Sequence, residues 1–112
     1  MKYFCTEPQR KASKSTCYLE FQRGSYDGRA WKSDSLNLHD DVFEATGLSA
    51  IFAQAIPQFD HWGITEVTPT QWQKLQQLLL DSGGVEREII AELTPWVTAC
   101  FQIEPVFTIC GI

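Results

Sequence analysis

With 112 residues, 44% apolar and 21% charged, the chain has the make-up of one globular domain, residues 1–112, able to close a core without a metal or disulfide staple. The net charge of −5 is unevenly spread: residues 1–32 hold seven bases against three acids, residues 33–73 hold six acids and no Lys or Arg, and the remainder holds two bases against five acids. A field of that sign repels polyanions, so direct nucleic-acid binding is disfavoured, and no apolar run is long enough to enter a membrane.

Met1–Pro8 lacks the apolar core of a signal peptide, and a cytosolic protein is the default expectation. Lys2–Thr6 reads as a first strand, and the polar run Glu7–Ser15 as a solvated loop whose Arg10, Lys11 and Lys14 face water. Thr16–Arg23 alternates, with Cys17, Leu19 and Phe21 turned to a core and Tyr18, Glu20 and Gln22 turned away. Gly24–Gly28 contains Asp27-Gly28, a tight-turn signal, and Arg29–Lys32 is expected to return as an antiparallel strand carrying Trp31.

From Leu36 onward the period lengthens. Leu38, Val42, Ala45, Leu48, Ile51, Phe52 and Ala55 recur at helical spacing, predicting a helix from Asp40 to Ala55 that can break at Gly47 and stops before Pro57. Asp40 and Asp41 fall in its first turn, where acids complement the helix dipole. Thr68-Pro69-Thr70-Gln71 is the clearest helix start, and Trp72, Leu75, Leu78 and Leu79 form the buried face up to the stop at Gly83-Gly84. A further helix runs from Val85 to about Gln102, kinked or divided at Pro95. Val106–Ile112 is apolar at both parities, as in a strand buried on both faces. The sum is an α+β domain: a mainly antiparallel sheet of about four strands packed with about three helices.

The four cysteines form no C-x-x-C pair and lie far in sequence from either histidine, so all are read as buried reduced thiols and no metal or cofactor is expected. Trp72 and Trp96 sit on periodic apolar faces and belong to the core, while Trp31 stays unassigned. Walker, dinucleotide and G-x-S-x-G patterns are absent, and Ser82-Gly83-Gly84 is a helix stop.

Between the second and third predicted folded blocks lies Phe59-Asp60-His61-Trp62-Gly63-Ile64-Thr65-Glu66-Val67, which crowds interaction-competent groups into one connection. Phe59, Ile64 and Val67 read as its anchors. Trp62 fits no periodic face, which leaves a buried anchor and an exposed partner contact equally open. Together with the acidic first turn before it, the stretch suggests an acidic, aromatic-bearing surface suited to a basic protein partner.

The run Phe59–Trp72, with its Asp-aromatic-Gly-x-Thr-Glu core leading to a helix with an early Trp, resembles bacterial immunity proteins of polymorphic-toxin and contact-dependent growth inhibition systems. The terminal Phe107-Thr108-Ile109-Cys110-Gly111-Ile112 is similar as well. The resemblance covers about half of the chain. It implies a cytoplasmic protein without catalytic turnover that neutralises one cognate toxin domain, expected to be a nuclease with a basic cleft, by covering its active site or substrate path.

The candidate contacts are Asp40, Asp41 and Glu44 from the helix, and Asp60, His61, Trp62 and Glu66 from the connection. Two other readings stand beside this one. A small metal-dependent hydrolase or nuclease would need His39, Asp40, Asp60 and His61 to converge in one pocket. An acidic adaptor or structural subunit would use the same face.

Overall fold

The computed structural model describes residues Met1–Ile112. In chain order the elements are β1 (Phe4–Thr6), α1 (Glu7–Ser13), β2 (Tyr18–Arg23), β3 (Leu36–His39), α2 (Asp40–Ala45), α3 (Leu48–Ala55), β4 (Ile64–Val67), α4 (Pro69–Ser82), α5 (Gly84–Phe101) and β5 (Phe107–Cys110). The strands form one five-stranded sheet in the order β1-β3-β2-β5-β4, every neighbouring pair antiparallel. The α+β class and the antiparallel sheet agree with the sequence expectation; the sheet has one strand more than expected and the helices number five.

Phe4, Leu19, Phe21, Leu36, Leu38, Val67, Phe107 and Ile109 line one face of the sheet, and α2 to α5 supply Phe43, Leu48, Phe52, Trp72, Leu75, Leu79, Ile89, Leu93 and Trp96 to the same core. Phe107 is its hub: its ring meets Phe21, Trp72, Trp96 and Phe101 at centroid distances of 5.8 to 6.1 Å. Burying that ring fully is worth about 1.5–3 kcal/mol before any aromatic pairing. Trp72 and Trp96 are core residues, as their spacing predicts.

Four local expectations are corrected. Residues 7–13 are helix, because Thr6 and Gln9 form a reciprocal capping box with Pro8 in the first turn. Arg10 is accordingly buried, paired with Glu7 at 2.6 Å and lying 3.9 Å from the Trp31 ring centroid. Residues 29–32 form no strand. The buried Glu20 carboxylate accepts the backbone N–H groups of Trp31 (2.9 Å) and Lys32 (2.8 Å) and the Ser35 hydroxyl (2.7 Å), diverting donors that a ladder would need. Trp31 turns with φ of 60°. Gly24–Ser35 is therefore an irregular loop tied to the second sheet face, where Glu20, Gln22, Asn37 and Thr108 are all buried.

The third correction is β3: Leu36 and Leu38 alternate inward with Asn37 and His39 on the other face, so Leu38 belongs to a strand and not to the helical period. The predicted 40–55 helix divides at Thr46-Gly47, and Glu86 on α5 accepts the exposed Gly47 N–H at 2.9 Å. The fourth concerns the thiols, of which Cys100 and Cys110 are buried but Cys17 is exposed and Cys5 half-buried, all four unpaired. Burial pushes the Cys110 thiol up to about 12.

The expectations for α4 and β5 hold, whereas α5, expected to be kinked or divided at Pro95, is one continuous helix. Thr68 and Gln71 form the capping box, and Gly83 ends α4 at φ of 69°. The Thr94 hydroxyl donates to the Ile90 carbonyl at 2.7 Å in the turn that the proline disturbs. The N-terminal arm is pinned to α5 by Glu92, whose carboxylate accepts the N–H groups of Lys2, Tyr3 and Phe4 at 2.8 to 3.1 Å. No helix is long and apolar enough to cross a membrane.

Two predictions follow from this frame. Because β5 is internal and buried at all four positions, deleting Phe107–Ile112 is expected to abolish cooperative unfolding, read by circular dichroism on heating; an unchanged melt would contradict it. In the 24–35 loop, the Lys32 ammonium and then the Arg29 N–H hold the Asp27 carboxyl down to about 2. A depressed carboxyl stabilises the folded loop above its ordinary value of 3.8 and loses that contribution as pH falls toward about 2. Amide protection factors in residues 24–35, taken relative to intrinsic exchange at each pH, should fall across that window, and Asp27→Asn should remove that fall.

Candidate functional site

The connection after α3 begins with core packing. Phe59 is held against Phe43 and Phe52 at 5.7 and 5.6 Å, which fixes the chain before it turns toward solvent. Asp60 then organises the turn: its N–H donates to the Thr65 hydroxyl at 3.0 Å, and its carboxylate accepts the Trp62 N–H at 2.9 Å. This is an Asx-type turn, a local use of the carboxylate that takes one of its oxygens away from outside partners.

The end of β5 completes the placement. Gly111 N–H donates to the Gly63 carbonyl at 2.7 Å and Ile112 N–H to the His61 carbonyl at 2.9 Å. A side chain at Gly111 would run into the His61 carbonyl, so the two backbones meet only because position 111 has none.

His61 is the centre. Its Nε2 lies 2.7 Å from Asp40 Oδ1 and its Nδ1 lies 3.3 Å from Glu44 Oε1, so the ring bridges the first and second turns of α2. Asp40 and Glu44 stand four residues apart, one above the other on the helix, and that spacing lets both reach one imidazole. The ring packs edge-on to Phe43 at 5.1 Å and stacks on Trp62 at 4.7 Å with an interplanar angle of 11°. His61 is thus 14% exposed at its side chain, whereas Trp62 is 71% exposed overall. One face of the indole lies against the imidazole. Trp62 is accordingly the exposed one of the two readings its sequence left open.

The remaining candidates separate from this cluster. Asp41 is beside it in sequence, and its side chain is 93% exposed, projecting from the first turn of α2. Glu66 is exposed on β4, four residues beyond Trp62, and so on the order of 13 Å along an extended chain. Its carbonyl accepts from Gln58 at 3.1 Å. Ile64, expected as an anchor, is exposed instead, because β4 alternates outward at 64 and 66 and inward at 65 and 67. The exposed apolar groups at this corner are therefore Trp62, Ile64 and Ile112.

The four groups required by the hydrolase reading do not meet as a set. His39 caps α2, its Nδ1 accepting the Asp41 N–H at 3.0 Å, and its ring packs on Tyr18 at 4.9 Å. Asp60 is turned onto its own loop. Asp40, Glu44 and His61 do present ligand atoms within 4.8 Å of one another. The two carboxylates, however, take opposite nitrogens of one ring, and a single ion cannot use both. An ion on Nδ1 and Glu44 would have two protein ligands, with Asp40 behind as the group that orients the ring. Asp40 and Glu44 on one helix are legible in sequence; Phe43 as a wall is not, since the helical period read there ran through Val42 and Ala45. Nor is the role of Gly111 and Ile112, since a pairing between residues fifty apart leaves no local signal.

The one cleft of the molecule, about 390 Å³, lies elsewhere, lined by Arg29 to Asp34 in the loop over the second face. Comparison with protein-family models, with curated proteins and with solved structures finds no match.

A contrast between two substitutions checks this division of labour. His61→Ala removes a charge-assisted hydrogen bond and the packing on Phe43, and should lower stability by about 1.5–3 kcal/mol in urea unfolding. Trp62→Ala removes an exposed ring and should change stability by no more than about 0.5–1 kcal/mol. Equal losses in the two variants would show that Trp62 is structural.

Proposed function

We propose that the protein binds a basic protein partner through the corner formed by α2 and the Asp60–Gly63 turn, and that the partner is a toxin domain which this chain neutralises without turnover. The observation that carries the binding reading is the exposed Trp62, stacked on a histidine fixed between two carboxylates, within residues 33–73 that contain no Lys or Arg. A large aromatic held at low conformational cost and surrounded by like charges is the composition of an interface anchor with a steering rim.

The shape of the corner supports a macromolecule over a metabolite. Small ligands are enclosed by concave sites, and the only cleft is in the 29–34 loop. The identity of the partner rests on the resemblance of Phe59–Trp72 and of the C-terminal segment to immunity proteins. A toxin that acts on nucleic acid presents a basic cleft, and an acidic convex surface fits such a cleft as an electrostatic substitute for its substrate. Asp41 and Glu44 are the charges available for steering, Asp40 and His61 hold the platform, and Trp62 is the contact. Asp60 shapes the turn, and Glu66 lies at the margin.

The test uses the two exposed acids and leaves the Asp40–His61 pair intact. Asp41→Lys with Glu44→Lys should slow association with the product of the neighbouring reading frame by about tenfold or more at low salt, and the difference should shrink as salt rises. Thermal unfolding of the variant should stay cooperative. Failure of the wild-type chain to bind that product, or to protect cells producing it, would overturn the proposal.

A further inference from the structure

We infer that the outer face of Trp62 is a receptor for an arginine side chain of the partner, with the guanidinium stacked on the indole and directed to the carboxylates of Glu44 and Asp60. This rests on the reading of the corner as a partner-binding surface and names the group that it recognises.

The indole has its inner face committed, 4.7 Å from the His61 ring and nearly parallel to it. What Trp62 offers outward is the remaining face, and the residue is 71% exposed. The residue is held from several sides. The Trp62 backbone N–H is tied to the Asp60 carboxylate, the preceding residue is clamped between Asp40 and Glu44, and Ile112 N–H anchors the His61 carbonyl. The backbone beneath the indole is fixed and its inner face is stacked, and a flat cation gains most from a plane that is already placed.

The surrounding charge selects the sign of the ligand. Asp40, Asp41, Glu44 and Asp60 are four carboxylates in the same two segments, against the imidazoles of His39 and His61 and no Lys or Arg from residue 33 to residue 73. Even with both imidazoles protonated, the group stays net negative. A second copy of the chain would bring the same acids to the same place, which argues against self-association through this corner. Three ligand types remain: an apolar side chain, an ammonium and a guanidinium.

The apolar option uses the ring and Ile64 but leaves the acids without a partner and drives part of their solvation away. An ammonium satisfies the acids, yet it is compact and strongly hydrated and gains little from a planar platform. A guanidinium does both: it stacks on aromatic faces, sheds water more readily, and presents forked donors to carboxylates at its edge. Glu44 is exposed and holds His61 at 3.3 Å through one oxygen, which leaves the other for an incoming donor. Asp60 binds the Trp62 N–H through Oδ1, which leaves Oδ2.

The probes are short oligo-arginine and oligo-lysine peptides of equal length, titrated into the intact protein while the indole N–H resonance of Trp62 is followed by NMR. The expected result is a saturable shift of that resonance in the wild type, with binding about tenfold tighter for arginine than for lysine; in Trp62→Leu, followed through the backbone amide resonances of residues 60–64, arginine should bind about tenfold more weakly. Circular dichroism of Trp62→Leu provides the check on folding. Equal binding of the two peptides, or binding of arginine indifferent to Trp62→Leu, would mean diffuse electrostatics and would overturn the inference.

A second arm separates this from the broader proposal. If the toxin-frame product binds the wild type and its affinity is unchanged in Trp62→Leu, the arginine receptor is wrong and partner binding stands. If that product does not bind the wild type at all, the partner reading itself falls.

Discussion

The structure depends on β5 being inserted between β2 and β4. The pairing of Phe107–Cys110 on both sides joins the strands from the first half of the chain to the only other strand from the second. It also delivers Phe107 to the centre of the core, where the rings of Phe21, Trp72, Trp96 and Phe101 surround it. Backbone pairing and ring packing here act on the same four residues, so neither can be lost alone. The late position of β5 in sequence makes this contact non-local, and loop closure has to precede its reward.

The same strand sets the candidate site. Two residues past the ladder, Gly111 and Ile112 bond to the carbonyls of Gly63 and His61, and the missing side chain at 111 is what permits the approach. From the other direction α2 reaches the same turn through Asp40 and Glu44. His61 is therefore fixed by an element from the middle of the chain and another from its end. The exposed Trp62 inherits its position from both. A local change in the turn is resisted at three points: the Asx bond of Asp60, the His61–Asp40 hydrogen bond to α2 and the bonds to β5.

What was legible in the sequence divides along this line. Features written in contiguous residues read correctly: the Thr68–Gln71 capping box, the Gly83 stop, the alternation of Leu19 and Phe21, and the two-sided apolar run of β5. The Thr6–Gln9 capping box is just as local, but its helix is short and polar, with no apolar period to draw attention to it. β3 was hidden by coincidence, because Leu38 stands four residues before Val42 and so mimics a helical step. The absence of a strand at 29–32 could not be read at all, since the Glu20 carboxylate that captures its donors lies eleven to fifteen residues away. For the site, residue types and their acidity were visible, but the pairing of His61 with Asp40 and Glu44 depended on tertiary placement.

That pairing also bears on how an acidic surface divides its work. Asp40 is half-buried and spent on His61; removing its charge would loosen the platform, and any effect on a partner would mix structure with contact. Asp41 and Glu44 are exposed and screened by salt, so on physical grounds they act at distances near a Debye length and chiefly on encounter. The indole has no long-range field and contributes only after desolvation, so its effect belongs to dissociation. Two kinetic observables thus report on two sets of residues at one corner of the molecule. The stack of Trp62 on His61 links them, because the imidazole beneath the indole is held by Asp40 and by Glu44, which also steers.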